Sequence, residues 1–340
     1  MMRSVELGGL RVSVQGLGCM GMSEFYGPTD DRESLATLAL ARESGVTLFD
    51  TADKYGMGAG ERLLGRFLAG GGGVSVASKF GFVRALGGAD TREVRGDPAY
   101  VRQACEASLR RLGVDTIDLY YLHRPDPRVP VADTVGAMAG LVAAGKVRHL
   151  GLSEVGVADL RAAHAVHPIA ALQSEWSLFH REVEESVLPA CRELGVAFVA
   201  YAPLGRGFLT GSVGALGPDD FRRYVPWFAP GNAEHNLRLL EPVRALARRT
   251  GSTPAQVVLA WLHHRTEVWG VPVVPIPGTR RAAHLRENLG AAALRLGPGD
   301  LDLLEPIAGQ VAGGRYAAAA PDGARGRQPT AAVSSGGRAG

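Results

Sequence analysis

Three apolar runs decide the fold of this chain: GVTLFD at 45–50, VSVASK at 74–79 and IDLYYLH at 117–123. Each run ends on an ionisable residue, and a tyrosine follows the first run in FDTADKYG at 49–56. Such runs, separated by amphipathic segments of helical length, are typical of buried parallel strands. Because all strands of a (β/α)₈ barrel end at one mouth, we expect four side chains to meet there. They are Asp50, Tyr55, Lys79 and His123.

The rest of the chain alternates between strand and helix patterns in the same way. A hairpin turning at Gly8-Gly9 and a first barrel strand near 16–20 come first. Further strands are predicted at 46–50, 74–79, 117–122, 147–152, 170–174, 196–201 and 271–276. Helices are predicted at 31–44, 60–69, 98–112, 131–143, 156–165, 183–194, twice within 235–265, and at 280–289. This alternation predicts an α/β fold of the (β/α)₈ TIM barrel type.

A doubly wound parallel sheet is the alternative architecture. The barrel is preferred because the strand–helix pairs reach about the number that a closed barrel needs, which is about eight. The glycine run at 70–73 precedes a strand instead of following one, so we interpret it as a loop and not as a phosphate-binding turn.

Two segments depart from the alternation. Residues 205–235 form a long loop after the seventh strand, and its aromatic residues favour an ordered cover over the barrel mouth. Residues 317–340 are rich in Ala, Gly, Ser and Arg without apolar periodicity, and we expect them to be disordered. The sequence therefore predicts one barrel domain over 1–316 and a disordered tail.

Composition argues against several classes of function. Charged residues make up 21% of the chain and the formal net charge is +3, which does not favour a nucleic-acid-binding surface. No apolar run approaches the ~18 residues of a membrane span, and no metal-ligand motif is present. The widely spaced Cys19, Cys105 and Cys191, with no signal peptide at the start, predict a reduced, cytoplasmic protein.

Short motifs occur in a fixed order along the chain: GLGCMGMS at 16–23, FDTADKYG at 49–56, ERLLG at 61–65, SKFG at 78–81, YYLHRPDP at 120–127, GKVRHLGLSE at 145–154, QSEWSL at 173–178, AYAPLGRGFLTG at 200–211, PIPGTRR at 275–281 and LREN at 285–288. In these motifs the chain resembles the aldo-keto reductases, in the branch that includes bacterial and fungal reductases and the potassium-channel β subunits. The resemblance covers residues 3–316. It implies an NADP(H)-dependent carbonyl reductase built on a (β/α)₈ barrel.

Carbonyl reduction needs a hydride on carbon and a proton on oxygen. Tyr55 is the predicted general acid, and the ammonium of Lys79 is expected to lower the pKa of its phenol. Asp50 is expected to neutralise and orient the lysine, and His123 to hydrogen-bond the carbonyl oxygen. The resemblance assigns the same roles to these positions. Taken singly, the residues also fit a salt bridge at the barrel mouth, a loop aromatic and a core histidine.

The predicted NADP(H) site is spread over the later strand ends. Ser153 and Gln173 are expected to hydrogen-bond a carboxamide, and Tyr201 to stack on the nicotinamide ring. Small residues at 203–207 let the backbone approach a pyrophosphate, and a helix start after the eighth strand suits a phosphate. The full predicted set is Cys19, Met20, Ser153, Glu154, Gln173, Tyr201, Pro203, Leu204, Gly205, Arg206, Gly207, Gly278, Thr279, Arg280, Arg281, Glu287 and Asn288.

The preference for NADP is predicted from the end of the eighth strand. Thr279, Arg280 and Arg281 offer a hydroxyl and two cations to a 2′-phosphate, with a solvated surface pair as the alternative. The family resemblance gives Glu287 and Asn288 as adenine contacts. Glu154 stands where many members have Asn, and His284 stands where an Arg often reaches the phosphate. We therefore predict reduced discrimination between NADP and NAD.

The sequence leaves the substrate, the direction of reaction and the oligomeric state open. The same catalytic residues serve alcohol oxidation, and a regulatory cofactor-binding subunit is the alternative from another class. A small-molecule carbonyl compound is the expected partner, with no nucleic acid and no membrane. The predicted pocket walls mix aromatic and basic residues: Met22, Phe25, Tyr26, Lys54, Phe80, Arg124, Trp176 and the 205–235 loop.

Overall fold

The computed structural model describes residues 2–84, 90–211, 214, 216–217 and 220–315. Within these residues the strands are β1 (Ser4–Leu7), β2 (Leu10–Ser13), β3 (Leu17–Gly18), β4 (Leu48–Asp50), β5 (Ser75–Phe80), β6 (Phe82–Arg84), β7 (Asp90–Val94), β8 (Ile117–Leu122), β9 (Val147–Ser153), β10 (Ile169–Glu175), β11 (Ala197–Tyr201) and β12 (Val273–Pro275).

Eight strands form one parallel sheet in the order β3-β4-β5-β8-β9-β10-β11-β12. A parallel bridge between Gly18 and Gly278 joins the two outer strands, and the Gly16 N–H donates to the Pro275 carbonyl at 3.0 Å. Gly18 permits this close approach, because a Cβ there would lie 2.9 Å from the carbonyl oxygen of Ile276. The predicted (β/α)₈ barrel is confirmed.

Helices follow the barrel strands and surround the sheet: α1 (Asp31–Glu43), α2 (Ala59–Leu68), α3 (Pro98–Leu112), α4 (Val131–Ala143), α5 (Val157–Val166), α6 (Val187–Leu194), α7 (Asn232–Arg238), α8 (Glu241–Thr250), α9 (Pro254–Trp269), α10 (Ala282–Gly290) and α11 (Pro298–Leu304). Helix α3 shows why they begin where they do. The Asp97 carboxylate accepts the Tyr100 N–H at 3.1 Å, and Pro98 occupies the first turn, where no N–H is needed.

The hairpin β1–β2 closes the N-terminal end of the barrel. Its Leu7, Leu10 and Val12 pack with side chains of the barrel interior such as Leu119. The turn requires glycine at position 8, which has φ +56° and lies so close to Ala170 that a Cβ would be 2.6 Å from the Ala170 Cα. The opposite end of the barrel, where the parallel strands end, is left for the loops that build the site.

The structure corrects several boundaries. The segment expected to hold two helices, 235–265, contributes to three, α7, α8 and α9, and α11 was not predicted. A small antiparallel hairpin, β6–β7, also was not predicted. Gly16, Gly18 and Gly21 have the spacing of a dinucleotide-binding turn, but Gly16 precedes β3, Gly18 ends it and Gly21 lies in a 3₁₀ turn at Met20–Met22, so they open no α-helix.

The described part of the long loop after β11 is packed against the barrel. It contains 3₁₀ turns at Gly205–Thr210, Phe221–Tyr224 and Pro226–Phe228. The side chains of Phe208, Phe221 and Trp227 are buried, whereas Tyr224 is exposed. Edge-to-face contacts at 5.3 Å join Phe221 to Phe25 and to Tyr26, so the loop also packs against the loop after β3.

The predicted disordered tail at 317–340 lies outside the described residues. No helix among the residues that the structure describes is long and apolar enough to cross a membrane. Those residues also contain no group of three or more His, Cys, Asp or Glu side chains that could hold a metal ion.

Candidate functional site

Lys79 is the centre of a buried polar cluster at the barrel mouth. Strands β4 and β5 pair in parallel with Asp50 opposite Ala77, so a side chain two residues later on β5 extends past the end of β4. The Lys79 ammonium there donates to a carboxylate oxygen of Asp50, to the Thr51 carbonyl at 2.8 Å and to the Tyr55 hydroxyl at 3.4 Å. Lys79 is fully buried and the Asp50 side chain is 3% exposed.

His123 joins this cluster from β8. Its backbone N–H donates to the Phe80 carbonyl at 2.7 Å, which continues the pairing of β5 with β8. Its imidazole lies edge-on to the Tyr55 ring, with 5.9 Å between ring centroids. The structure therefore brings together the four residues that the sequence placed at one mouth.

A second contact on Asp50 was not predicted. The side-chain amide of Gln173, from β10, donates to the other carboxylate oxygen of Asp50 at 2.8 Å. Asp50 is thus held from both sides, by Lys79 and by Gln173. The amide expected to meet a carboxamide therefore bonds Asp50 in this structure.

Burial controls the protonation of the cluster. Burial, with Asp50 next, raises the pKa of Tyr55 well above its ordinary value, so the phenol holds its proton firmly at neutral pH. The net shift of the Tyr55 pKa is opposite to the lowering expected from Lys79, because burial of the phenol and the negative charge of Asp50 raise it. Burial also lowers the pKa of Lys79, and Asp50 opposes that shift.

His123 is neutral at neutral pH. Burial, followed by the positive charges of Arg124, Lys79 and Lys54, holds its pKa well below the ordinary value. A neutral imidazole has one N–H donor and one acceptor nitrogen. Among the described residues, no hydrogen-bond partner is found for its buried Nδ1 atom.

Cys19 is held next to this cluster as an inert thiol. Its backbone N–H donates to the Asp50 carbonyl at 2.8 Å, and its side chain is 2% exposed. Burial, with the negative charge of Asp50, raises the pKa of its thiol to about 12. Met20 is half-buried beside it.

The ends of β9, β10 and β11 carry a second charged network. Glu154 follows Ser153 at the end of β9, and Glu175 ends β10 opposite Tyr201 in the parallel register. The buried Arg206 donates to Glu175 at 2.9 Å. Arg315, from far along the chain, donates to Glu154 at 2.8 Å and to Glu175 at 2.7 Å.

Glu154 is ionised and conformationally restricted. Although burial works to raise it, Arg315 and Arg124 lower the pKa of this carboxyl to about 2. Its backbone has φ +56°, a left-handed conformation that is unfavourable for a side chain of this type. Ser153 beside it is buried and accepts a hydrogen bond from Arg124 at 3.1 Å.

The turn after β11 is compact. Gly205, Arg206 and Gly207 all have positive φ, and the Gly205 N–H donates to the Ala202 carbonyl at 2.9 Å. Pro203 is buried, while Leu204 and Gly207 are half-buried at its surface. The Arg206 side chain, for which only a backbone role was predicted, is buried against Glu175.

The segment after β12 separates the two predicted phosphate-binding arginines. Arg280 donates to the carbonyls of Gly21 at 3.3 Å and Tyr26 at 3.0 Å, and so ties the loop after β3. Arg281 is exposed, as are Gly278 and His284, while Thr279 is buried and accepts the Arg281 N–H at 3.1 Å. Of the two arginines, Arg281 is therefore the exposed one in this structure.

Part of the predicted pocket wall lies in the core instead. Met22, Phe80 and Trp176 are at most 1% exposed. Phe25, Tyr26 and Lys54 are half-buried at the mouth, and the Lys54 ammonium lies 4.1 Å from the centroid of the Phe82 ring. The accessible wall thus comes from the loops and not from the strands.

A family model described as the aldo/keto reductase family matches residues 16–308. The chain belongs to the aldo/keto reductase family. A glycerol dehydrogenase from Gluconobacter oxydans is 27% identical, with a TM-score of 0.82 over 91% of this chain and 95% of that one. An aldo-keto reductase from Klebsiella pneumoniae, solved with NADPH, is 27% identical, with a TM-score of 0.72 over 90% of this chain and 95% of that one. A Klebsiella pneumoniae aldo/keto reductase with NADP and acetate is also 27% identical, with a TM-score of 0.72 over 93% and 99%.

The residues of this aldo/keto reductase fit the cofactor of its relatives at α10. The helix begins at Ala282 without a side-chain cap, so its first N–H groups are left for an anion. Arg281 lies exposed beside them. Further along the helix, Glu287 is half-buried and Asn288 is buried. This donor set is suited to a phosphate-bearing nucleotide.

Sequence reasoning missed two charged members of the mouth. Glu175 lies inside the motif QSEWSL, but nothing in the sequence indicated that it would be buried against two arginines. Arg315 stands in a segment without apolar periodicity, 161 residues from its partner Glu154. No local signal in the sequence marks such a contact.

Proposed function

We propose that this aldo/keto reductase is an NADP(H)-dependent oxidoreductase that reduces an aldehyde or ketone to an alcohol, with Tyr55 as the general acid. One observation carries the proposal. The buried Lys79 ammonium bridges the Asp50 carboxylate and the Tyr55 hydroxyl at the barrel mouth. The phenol beside this ammonium is protonated, and the ammonium can stabilise the phenolate that proton donation leaves behind.

Bound NADPH would supply the hydride that the carbonyl carbon accepts. Tyr55 is protonated, and its O–H bond breaks as the substrate oxygen takes the proton and becomes an alcohol. The phenolate left behind lies beside Lys79, whose charge stabilises it until Tyr55 regains a proton from solvent. His123 is neutral and is assigned the hydrogen bond that orients the carbonyl oxygen.

The cofactor is assigned to the residues that line the later strand ends. Ser153, Gln173 and Tyr201 surround the proposed nicotinamide site, and the compact turn at 203–207 is assigned to the pyrophosphate. Arg281 and the start of α10 are assigned to the 2′-phosphate. The complexes of the Klebsiella pneumoniae relatives with NADPH and NADP support this choice of cofactor.

Alcohol oxidation is the second candidate direction. The relative from Gluconobacter oxydans is a glycerol dehydrogenase, which favours a test of this direction. The same residues serve it in reverse, since the Tyr55 phenolate would accept the proton of an alcohol. The direction in the cell depends on substrate supply, so both directions belong in the assay.

The His284→Arg variant tests the proposed phosphate site. His284 is exposed on the first turn of α10, so an arginine there would add a fixed charge and a planar pair of donors for the 2′-phosphate. We expect NADPH to bind about threefold to tenfold tighter, with NADH unchanged. Fluorescence titration with both nucleotides measures the two Kd values.

The matched control for this prediction is His167→Arg, which adds the same charge after α5, at the opposite end of the barrel. It should leave both Kd values as in the wild type. Equal Kd values for NADPH in the wild type and in His284→Arg would place the phosphate elsewhere.

The proposed function itself is tested by the loss of NADPH absorbance with a panel of aldehydes and ketones, with NADH run in parallel. We expect turnover with NADPH on at least one polar or anionic carbonyl compound, and slower turnover with NADH. Binding of NADPH without reduction of any carbonyl or oxidation of any alcohol would favour a regulatory role.

A further inference from the structure

The C-terminal segment after α11 is laid across the loops of the barrel mouth. The Ala312 N–H donates to the buried Asn236 side chain at 2.8 Å, and the same side chain donates back to the Ala312 carbonyl at 3.0 Å. Gly313 then turns with φ +83°, and a Cβ there would lie 3.0 Å from Pro226. These contacts fix the direction in which the next side chains extend, and Arg315 extends into the mouth.

Arg315 uses its whole guanidinium group there. Nη1 and Nη2 each donate to one carboxylate oxygen of Glu154 at 2.8 Å, and Nε donates to Glu175 at 2.7 Å. Nη2 also donates to the Tyr201 hydroxyl. The Arg315 side chain is 13% exposed, and the side chains of Glu154 and Glu175 are 7% and 0% exposed. Arg315 therefore forms largely buried ion pairs with both carboxylates and not an exposed pair at the surface.

Stability alone is a weak reason for such a cluster. Buried ion pairs gain little net stability, because desolvation offsets their attraction. Glu175 already has Arg206 as a partner at 2.9 Å. Glu154, by contrast, is paired with Arg315 and carries the strain of a positive φ. The geometry therefore indicates that the Glu154 side chain, held in one place, serves the site.

The two groups that Arg315 holds, Glu154 and Tyr201, lie at the proposed nicotinamide site. Glu154 follows Ser153, which is assigned to the carboxamide, and Tyr201 is the ring assigned to stack on the nicotinamide. Arg315 bonds the Tyr201 hydroxyl, and its guanidinium carbon lies 5.7 Å from the centroid of the Tyr201 ring, so it fixes the position of that ring. One side chain thus fixes two groups that a nicotinamide would meet.

We propose that Arg315 is a positioning residue of the nicotinamide subsite, which holds the Glu154 side chain and the Tyr201 ring in the places that the cofactor requires. The proposal rests on the proposed function. Arg315 acts through these neighbours and takes no part in proton or hydride transfer. Replacing it leaves the carboxylates of Glu154 and Glu175 near each other, with Arg124 and Arg206 as the remaining arginines that act on them.

The Arg315→Gln variant is therefore expected to bind NADPH about tenfold or more weakly at about pH 8. The charged and titratable groups facing Glu154 are Arg124 after β8, Glu175 on β10, His180 after β10, Arg206 after β11 and Arg315. With Arg315 removed, the main charge that lowers the pKa of Glu154 is lost, and the pKa rises. Glu154 then takes a proton as the pH falls, which relieves the repulsion.

The defect of Arg315→Gln, measured against the wild type at each pH, should shrink between about pH 8 and about pH 5.5. Glu154→Gln combined with Arg315→Gln should recover most of the affinity at the higher pH, because two amides replace the ion pair. Arg315→Lys keeps the positive charge but lacks the paired N–H donors of the guanidinium, so its affinity for NADPH should lie between those of the wild type and Arg315→Gln. Arg161→Gln, which breaks an exposed pair with Glu193, is the matched control and should bind as the wild type does.

The measurements are the Kd for NADPH by fluorescence titration and the melting temperature (Tm) of each variant. A wild-type Kd for Arg315→Gln at both pH values would overturn the proposal. A second pattern would also overturn it: NADPH binding by Arg315→Gln is weakened equally at both pH values, the double variant does not recover it, and Asn236→Ala weakens it by the same factor. That pattern would show that Arg315 only anchors the C-terminal segment. If Arg315→Gln does not fold, Arg315→Lys and the double variant decide by the same criteria. Failure of the wild type itself to bind NADPH would overturn the proposed function and this inference with it.

Discussion

Tyr55→Phe is expected to lower kcat for carbonyl reduction by about 10²–10⁴-fold. The variant loses the hydroxyl that faces Lys79 at 3.4 Å and keeps the ring that packs edge-on against His123. No other phenol is in contact with the Lys79 ammonium among the hydrogen bonds of the described residues. The Kd for NADPH should stay near the wild-type value, because cofactor binding and proton donation are assigned to different residues.

Tyr120→Phe is the matched control for this variant. It also removes a buried phenol hydroxyl from the barrel wall, but Tyr120 stacks on Phe80 in the core between sheet and helices. The measurements are kcat from the loss of NADPH absorbance and Kd from fluorescence titration. Turnover by Tyr55→Phe at the wild-type rate would remove Tyr55 as the acid, and equal losses in both variants would indicate a general effect on folding.

Lys79→Met should affect both stability and turnover. The substitution leaves the Asp50 carboxylate buried with Gln173 as its remaining side-chain donor among the hydrogen bonds described. Removing one partner of a buried ion pair typically costs about 3–5 kcal/mol of unfolding free energy. Turnover should be lost as well, because the phenolate of Tyr55 would form without a nearby cation.

A double variant separates the two effects of Lys79. Asp50→Asn combined with Lys79→Met removes both charges and keeps an acceptor for Gln173, so most of the stability should return while turnover stays absent. Denaturant unfolding gives the first quantity and NADPH oxidation the second. Wild-type stability of the single variant would mean that Asp50 is not the buried anion described here. Recovery of turnover in the double variant would show that Lys79 is not required for catalysis.

The parallel strands could be predicted because their signal is local. The apolar composition of a six-residue run such as VSVASK is enough to indicate a buried strand. A parallel barrel then places the ends of all strands at one mouth. The convergence of Asp50, Tyr55, Lys79 and His123 follows from that topology without any distance information. Short elements were predicted least well: the bounds of β3 were displaced and β6 was missed, because two or three residues are too few to leave a clear pattern.

Side-chain partners across the mouth could not be predicted in the same way. From the sequence, Arg280 and Arg281 were both assigned to the 2′-phosphate. In the structure Arg280 bonds carbonyls of the loop after β3, whereas Arg281 is exposed to solvent. The pKa of Tyr55 is another example. Its direction depends on how deeply the hydroxyl is buried and on Lys79 being nearer to Asp50, which are properties of the fold.

The contact of Arg315 with Glu154 shows the same limit at long range. A guanidinium that bridges two strand ends from the C-terminal segment leaves no pattern in the local sequence, because its partners are selected by tertiary contacts. What selects the contact is the anchoring of Ala312 by Asn236 and the tight approach at Gly313. Such anchors are recognised in a folded chain and not in its sequence.

The central claim is that a nicotinamide hydride is transferred directly to a carbonyl carbon at the Asp50–Tyr55–Lys79–His123 cluster. The most direct test uses NADPH deuterated at the reactive ring carbon, with an aldehyde substrate and mass spectrometry of the product. We predict one deuterium on the new carbinol carbon in the wild-type reaction and a large loss of labelled product with Tyr55→Phe. Product that carries no deuterium from either face of the labelled cofactor, or equal labelling by Tyr55→Phe at the wild-type rate, would contradict the claim.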